Sequence, residues 1–562
     1  QTLRRPSLGV RESLSTLPNN QVLIWTHYTR PKDRPPRFIN MTGAILPAFA
    51  LEDMIGDQHA FPEANRTVIC FVKEDCPTCN LVMPLLEAAN SSTKALTLTA
   101  GQTAEGNETL IERHGLTMPL LDDSTLKVSF AYDVETVPLV VLADADGKEL
   151  DRLVGFDRKE WSGFFDKHLS DTQIDWDDYP EWRPGCGSLT QDPVIADRLR
   201  AEAENSPLRA RKIEIAPSDD VHEFMFDQGF TDGLPVVPPT PERVIRMLEG
   251  TSRDSQELVA TMPPNMAPAT VEKIAVNAVL AGCRPEYLPV VIAAIEAICT
   301  DEFNCHGVFA TTMGASPVMI INGPIRERIG LNVRMSALGQ GSRANATIGR
   351  AVRLAVRNIG GAEPGGTERS TLGSPMKFTM CFGEWEERSS WDPLHVERGF
   401  DKNDSVVTVF AMSSGPTLIV DQNSRSAPQL AGSFGLSMES AHHVRAHNGG
   451  DGILVVCPEH VDTLERDGYT KADIRRRIQE VTTVPLKDLV ADDVSGAGID
   501  PARAASMTDD MLNRPSPKFA SEDNIHIVVA GSDAGKFSAA FHGWASGPMG
   551  SIPVSRKIDV QT

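Results

Sequence analysis

The sequence predicts an α/β protein, with a small α/β unit followed by a large one whose mixed or parallel sheet is covered by helices. Three observations carry this. Short, predominantly apolar runs at 68–72, 139–142, 317–321, 452–456 and 525–529 suit strands buried on both faces. Turn residues and helical patterns follow several of them. The chain has 562 residues, too many for one core, so about two to four domains are expected.

Composition narrows the class. With 41% hydrophobic and 23% charged residues, the chain reads as an ordinary globular protein. It has no apolar run of about 18 residues, so no membrane span is expected. The net charge is −22, from 54 basic and 76 acidic residues, which argues against nucleic acid or an anionic membrane as a general partner. The nine cysteines are odd in number and scattered, which fits a reducing compartment and one catalytic pair better than a disulfide framework. A cytoplasmic protein is expected, and because the chain begins at Gln1 a removed N-terminal signal stays open. A homo-oligomer is expected from size and class.

In chain order, residues 1–39 read as an extension rich in Arg and Pro, with one strand-like run at 22–25. Residues 40–170 form the small unit. Its strand at 68–72 is followed, after Lys73-Glu74-Asp75, by Cys76-Pro77-Thr78-Cys79 and a helical pattern starting at Cys79. A strand-to-helix junction puts the first sulfur at a helix N-terminus, where the dipole and free N–H groups favour thiolate. Two cysteines at this spacing can attack and then resolve a disulfide. Zinc uses the same spacing but needs a second ligand pair, and none follows at short range. Pro84 lies inside the helix, Val137-Pro138 precedes the run at 139–142, and Asp144-Ala145-Asp146-Gly147 reads as a hairpin turn.

These features over residues 40–170 resemble the thioredoxin superfamily, and the segment 43–49 resembles the start of its peroxiredoxin-like and membrane-anchored reductase branches. The resemblance implies that Cys76 is the attacking thiolate, Cys79 the resolving thiol and Pro138 a cis-proline shaping the substrate groove. Residues 171–220 read as a linker, in which Gly and Pro on both sides make Cys186 mobile and exposed, a candidate relay thiol.

Residues 221–562 are expected to form the large catalytic domain, with related halves at 221–395 and 396–562. Strand–turn–helix segments include a strand at 525–531 leading into a helix at 535–544, and helices are expected at 270–282 and 288–299. The stretches 230–240 and 281–287 resemble a family of large bacterial proteins, some fused to thiol or selenol modules; this implies no reaction and no residue roles. Chemistry must come from residue types. Cys305 and His306, side by side in a loop, suit an activated nucleophile or a ligand pair, against a buried Cys and a structural His. Gly339, Gly341, Ser342 and Arg343 run into a helix whose N-terminus suits an anion, with Arg350, Arg353 and Arg357 on one stripe; pairing of these arginines with the excess acids is the alternative. The stretch at 531–537 departs from the Walker A pattern.

Glu384 or Glu386 could serve as general base, His395 as acid–base and Arg398 as substrate anchor, in a segment between two strand-like runs. His443 and His447, four apart on an expected helix, have the spacing of a two-histidine site for a transition metal, or they serve the helix dipole. The leading expectation is a thiol-dependent oxidoreductase. In it, the CxxC module, kept reduced by a cellular thiol or disulfide reductant, supplies electrons to the fused domain, which acts on a small anionic substrate. The rivals are a metal-dependent lyase or hydrolase with an accessory dithiol, and a thiol-disulfide exchange or client-binding protein.

Overall fold

The computed structural model describes residues 22–25, 43–63, 65–203, 205–216 and 218–560. Of the expected N-terminal extension, the run Val22–Trp25 is a strand, and the rest lies outside the described residues. The chain divides into two compact units, one within His27–Arg211 and one comprising Lys212–Thr562 with the N-terminal strand.

The small unit holds a five-stranded sheet in the order Leu120–Asp122, Leu96–Gly101, Thr67–Val72, Leu139–Ala143, Glu149–Val154. The first three strands are parallel and the last two antiparallel to their neighbours. Thr67–Val72, central in this sheet, is buried along its whole length. The helix Pro77–Asn90 begins two residues earlier than its apolar pattern indicates, because Cys76 is its N-cap and Pro77 suits the first turn. It buries Thr78, Cys79, Val82, Met83, Leu85, Leu86 and Ala89. The helices Ala104–His114 and Arg158–His168 start at Thr103 and Asp157, whose side chains accept backbone N–H groups of the first turn. Asp144–Gly147 forms the expected turn, with Asp144 N–H donating to Lys148 O at 2.9 Å.

The expected linker is corrected: as far as residue 211 it belongs to the small unit. The Asp171 carboxylate accepts from the hydroxyl of Ser92 and from the N–H and hydroxyl of Thr93. Trp182–Arg183 pairs with Phe156–Asp157, and Cys186–Gly187 with Thr136–Val137. The glycine at 185 is there for close approach, not mobility. A Cβ on it would lie 2.3 Å from Thr136 Cγ2 and 2.7 Å from Val137 O.

The large unit is built on one seven-stranded mixed sheet. Its order is Cys381–Gly383, Ser316–Asn322, Val406–Val420, Phe537–Gly543, Gly452–Val456, Ile525–Val529, with Val554–Lys557 also paired to Val406–Val420. Both expected halves contribute strands to this sheet, so they are not separate bodies. Val406–Val420 joins them. This 15-residue strand shifts register near Ser414, which lets it pair with three neighbours. Alternation divides the sheet's two faces: Leu454, Val456, Ile527 and Val529 enter one core, and Ile453, Val455, Val528 and Phe541 the other.

The helices Val271–Ala281, Leu288–Ile298 and Arg343–Asn358 pack on one another, and Ala427–Met438, Pro458–Arg466 and Lys471–Val481 form a second group. The expected helix at 535–544 is instead the strand Phe537–Gly543, because its residues 538–543 are buried between two strand neighbours. Among the described residues, no helix is long and apolar enough to cross a membrane.

Candidate active site

The central strand of the small unit ends at Val72, and three residues later the chain enters a helix. Cys76 caps that helix in extended backbone conformation, and its Sγ accepts the N–H of Cys79 at 3.2 Å. Its sulfur also lies 3.5 Å from Val137 O, just before the cis bond Val137–Pro138. The Cys76 thiol is pulled down to about 5. A hydrogen bond from the Cys79 thiol contributes most; one from Cys186 and the N–H groups of Cys79 and Thr78 add to it, against the opposing effect of burial. Cys79 is pushed far up, by burial first and then by the neighbouring Cys76.

At neutral pH this pair therefore holds one thiolate and one thiol. The thiolate can attack a disulfide, and the thiol can resolve the resulting bond once it loses its proton. Cys70, on the central strand, has no exposed surface and burial raises its thiol, which leaves it inert.

Cys186 is corrected from a mobile, exposed thiol to a half-buried one held in a strand beside Cys76. The small unit is a thioredoxin-like domain by its own strand order, helix-capping dithiol and adjoining cis-proline.

The large unit treats its expected site residues differently. Cys305 and His306 open the short helix Cys305–Ala310, which turns the sulfur inward and leaves the imidazole exposed. Burial raises the Cys305 thiol well above its ordinary range, so the activated pair is not formed. The arginine stripe is mostly spent on internal acids. Arg350 makes two bonds to Asp232, buried Arg353 pairs with Glu368 at 3.1 Å, and Arg357 lies 3.9 Å from Glu363.

Gly339 and Gly341 do form the turn ahead of the helix Arg343–Asn358, but its first N–H groups are partly used. Asn345 N–H donates to the Ser342 hydroxyl, which caps the helix. Arg343 itself bonds Gly282 O and Cys283 O and lines a cleft of about 690 Å³ shared with Arg243, Arg246, Arg284 and Arg328.

Glu384 and His395 are sealed in the interior, at 2% and 0% exposure, so neither meets a substrate. Glu384 accepts from Asn322 Nδ2 at 2.7 Å and Leu394 N at 2.8 Å, and burial raises its carboxyl. Glu386 pairs with Arg326 at 3.1 Å. Arg398 is no substrate anchor: it donates to Ser555 Oγ and Pro553 O, both at 2.6 Å.

His443 and His447 lie in turns beyond the helix Ala427–Met438, which ends too early to align them. His447 Nδ1 sits 3.0 Å from Ser516 O, and His443 Nδ1 accepts from Arg445 N. Among the described residues, no group of three or more His, Cys, Asp or Glu side chains is arranged to hold a metal ion.

One residue with reactive character escaped the sequence reading. Cys457 ends the strand Gly452–Val456 and caps the helix Pro458–Arg466. Burial works to raise its thiol, yet the hydrogen bond and charge of His460 and a bond from Ser538 hold it below the ordinary range. Ser538 Oγ lies 2.7 Å from His460 Nδ1 and 3.7 Å from Cys457 Sγ. The only signal in the sequence is Cys-Pro-x-His after an apolar run.

No family model and no curated protein matches the chain. Among solved structures it is similar to StoA from Bacillus subtilis, at 23% identity over 21% of this chain and 98% of that one, with a TM-score of 0.19. It is similar to the thioredoxin domain of a thiol-disulfide oxidoreductase from Bacteroides vulgatus, at 17% identity over 23% of this chain and 99% of that one, TM-score 0.21. A secreted disulfide oxidoreductase of Mycobacterium tuberculosis matches at 20% identity over 20% of this chain and 92% of that one, TM-score 0.18.

Proposed function

We propose that the protein is a thiol-disulfide oxidoreductase in which Cys76 attacks and Cys79 resolves. The observation that carries this is the opposite electrostatics of two sulfurs one helical turn apart, one pulled down to about 5 and the other pushed far up. In the forward reaction the Cys76 thiolate attacks a substrate disulfide, forms a mixed disulfide and releases the substrate's first thiolate. Cys79 gives up its proton and attacks Cys76 Sγ, so the second substrate thiol leaves and the Cys76–Cys79 disulfide remains. A cellular thiol reductant returns the pair to the dithiol. Reduction of insulin disulfides tests this. Cys76→Ser is expected to fall to the rate of buffer alone, and a rate equal to the unaltered protein refutes the assignment.

The finer reading is that the fused large unit uses these electrons on a small anionic substrate. Covalent linkage favours it, because a tethered dithiol reaches an effective concentration on the order of millimolar. Cys457 is its best large-unit thiol, since burial raises Cys283, Cys299, Cys305 and Cys381. The anion would occupy the cleft lined by Arg243, Arg246, Arg284, Arg328 and Arg343, where the lining acids are Glu249 and Glu286. Titration with inorganic phosphate is expected to give saturable binding that Arg284→Ala weakens; equal affinity in the variant removes the cleft from consideration.

A further inference from the structure

We infer that segment 182–188 is a built-in occupant of the groove beside the dithiol, and that Cys186 is a second resolving thiol for Cys76. This deepens the assignment of Cys76 as nucleophile and rests on it.

The segment is fastened along its length. Trp182 and Arg183 pair with Asp157 and Phe156. Pro184 O accepts the Thr78 hydroxyl, from within the dithiol motif itself, at 2.5 Å. Cys186 and Gly187 run antiparallel to Val137 and Thr136, the two residues ahead of Pro138, and Ser188 N–H donates to Glu135 O at 3.0 Å. Lys73 Nζ reaches Gly187 O at 3.2 Å. Gln102 grips the far end, donating to Ser188 Oγ at 2.7 Å and accepting from Leu189 N–H at 3.0 Å.

This strap takes the backbone edge that an extended polypeptide would need in order to lie beside the thiolate. It also brings a thiol to that thiolate: Cys186 is the strand partner of Val137, whose O lies 3.5 Å from Cys76 Sγ, and the two sulfurs shift each other's titration. Cys76 has no exposed surface, although a nucleophile must meet its target. Either the strap moves aside for an outside disulfide, or Cys186 is the partner.

The internal exchange needs no outside reagent. In the oxidised module the Cys186 thiolate attacks Cys76 Sγ. The Cys76–Cys186 bond forms, the Cys76–Cys79 bond breaks, and Cys79 leaves as a thiolate that takes up the proton Cys186 gave up. No net electron is gained or lost. The exchange moves the disulfide from two buried sulfurs to one that is half-exposed, where a thiol reductant can reach it. The strap thus regulates the groove and carries its own redox-active sulfur.

The test uses the full chain with Cys79→Ser, treated with oxidised glutathione and mapped by mass spectrometry without reduction. Cys76 thiolate should take one glutathionyl group and release one glutathione. Cys186 should then displace the second glutathione and leave a Cys76–Cys186 disulfide. Glutathionylated Cys76 beside free Cys186 overturns the proposal and leaves Cys76 as the nucleophile. If neither sulfur is modified, both readings fall.

A second variant tests occlusion. Gly185→Val forces a side chain against Thr136 and Val137, so the strap must leave, and faster alkylation of Cys186 reports that it has. With retained circular dichroism, kcat/KM for a peptide disulfide should rise about tenfold, as for a groove open only about a tenth of the time before the change. An unchanged kcat/KM with the strap released overturns occlusion.

Discussion

Cys76 and Cys457 occupy nearly the same local structure in two different units. Each follows a wholly buried strand, each caps a helix in extended conformation, and each is followed by a proline in the first turn. Helix position favours thiolate in both. What differs is the company. Cys76 has two thiols and two backbone N–H groups around it and is pulled down to about 5. Cys457 leans on one imidazole, one backbone N–H and one hydroxyl, which outweigh burial by less. In the large unit's other four cysteines burial is the dominant influence and raises every thiol. A helix end therefore biases a sulfur, and its neighbours decide the outcome.

This comparison can be broken from its strongest side first. Cys79→Ala removes the largest contribution to the Cys76 thiolate and also the resolving sulfur. Turnover should be lost, and alkylation of Cys76, read by mass spectrometry, should move its midpoint upward from about 5. In the unaltered protein that alkylation rate should be level from about pH 6 to 8 and should fall only as the pH drops through about 5. The same shift has a sign for folding. Cys76 titrates lower when folded than when unfolded, so its stabilisation of the reduced protein is full above the ordinary thiol range and is lost as pH falls through about 5. A denaturation midpoint that declines as the pH rises through this window would contradict it.

Next in size is His460→Ala, which should raise the Cys457 thiol and slow its alkylation at pH 7 by about tenfold, while leaving insulin reduction unchanged. A Cys457 rate that does not move would show that the helix end suffices there. The smallest effect belongs to Ser538→Ala. It deletes the buried contacts of Ser538 Oγ with His460 Nδ1, the Cys457 N–H and Cys457 Sγ, and its expected cost is about 2 kcal/mol in a urea melt. A loss several times larger would make the Ser538–His460 pair a structural element rather than an adjunct to the sulfur.

Much of the small unit was readable in the chain. The apolar run at 68–72, the dithiol, Val137-Pro138 and the turn at 144–147 are local signals, and each lies where the pattern indicates. The strap was misread because Gly185 and its neighbouring proline look like punctuation. Their purpose is visible only when Thr136 and Val137 stand within 3 Å of where a Cβ would be. In the large unit, crowding of charges at 384–398 resembled a catalytic segment. Glu384 bonds Asn322 and Leu394, Glu386 bonds Arg326, and Glu397 lies 2.9 Å from both Lys471 and Arg475. Such a network looks the same as an active site in one dimension, because the partners lie many residues away.

Sequence alone determined that Cys76 would stand at a helix N-terminus and that the protein is α/β, since helix capping, strand burial and short-range spacing are written within a few residues. Tertiary structure decided the rest. It set Cys186 against Cys76, turned Cys305 inward, spent Arg350, Arg353 and Arg357 on acids, and gave Cys457 its histidine and serine. A thiol's pKa depends on charges, donors and burial within a few ångströms, and a folded chain fills that sphere with residues its sequence keeps far apart.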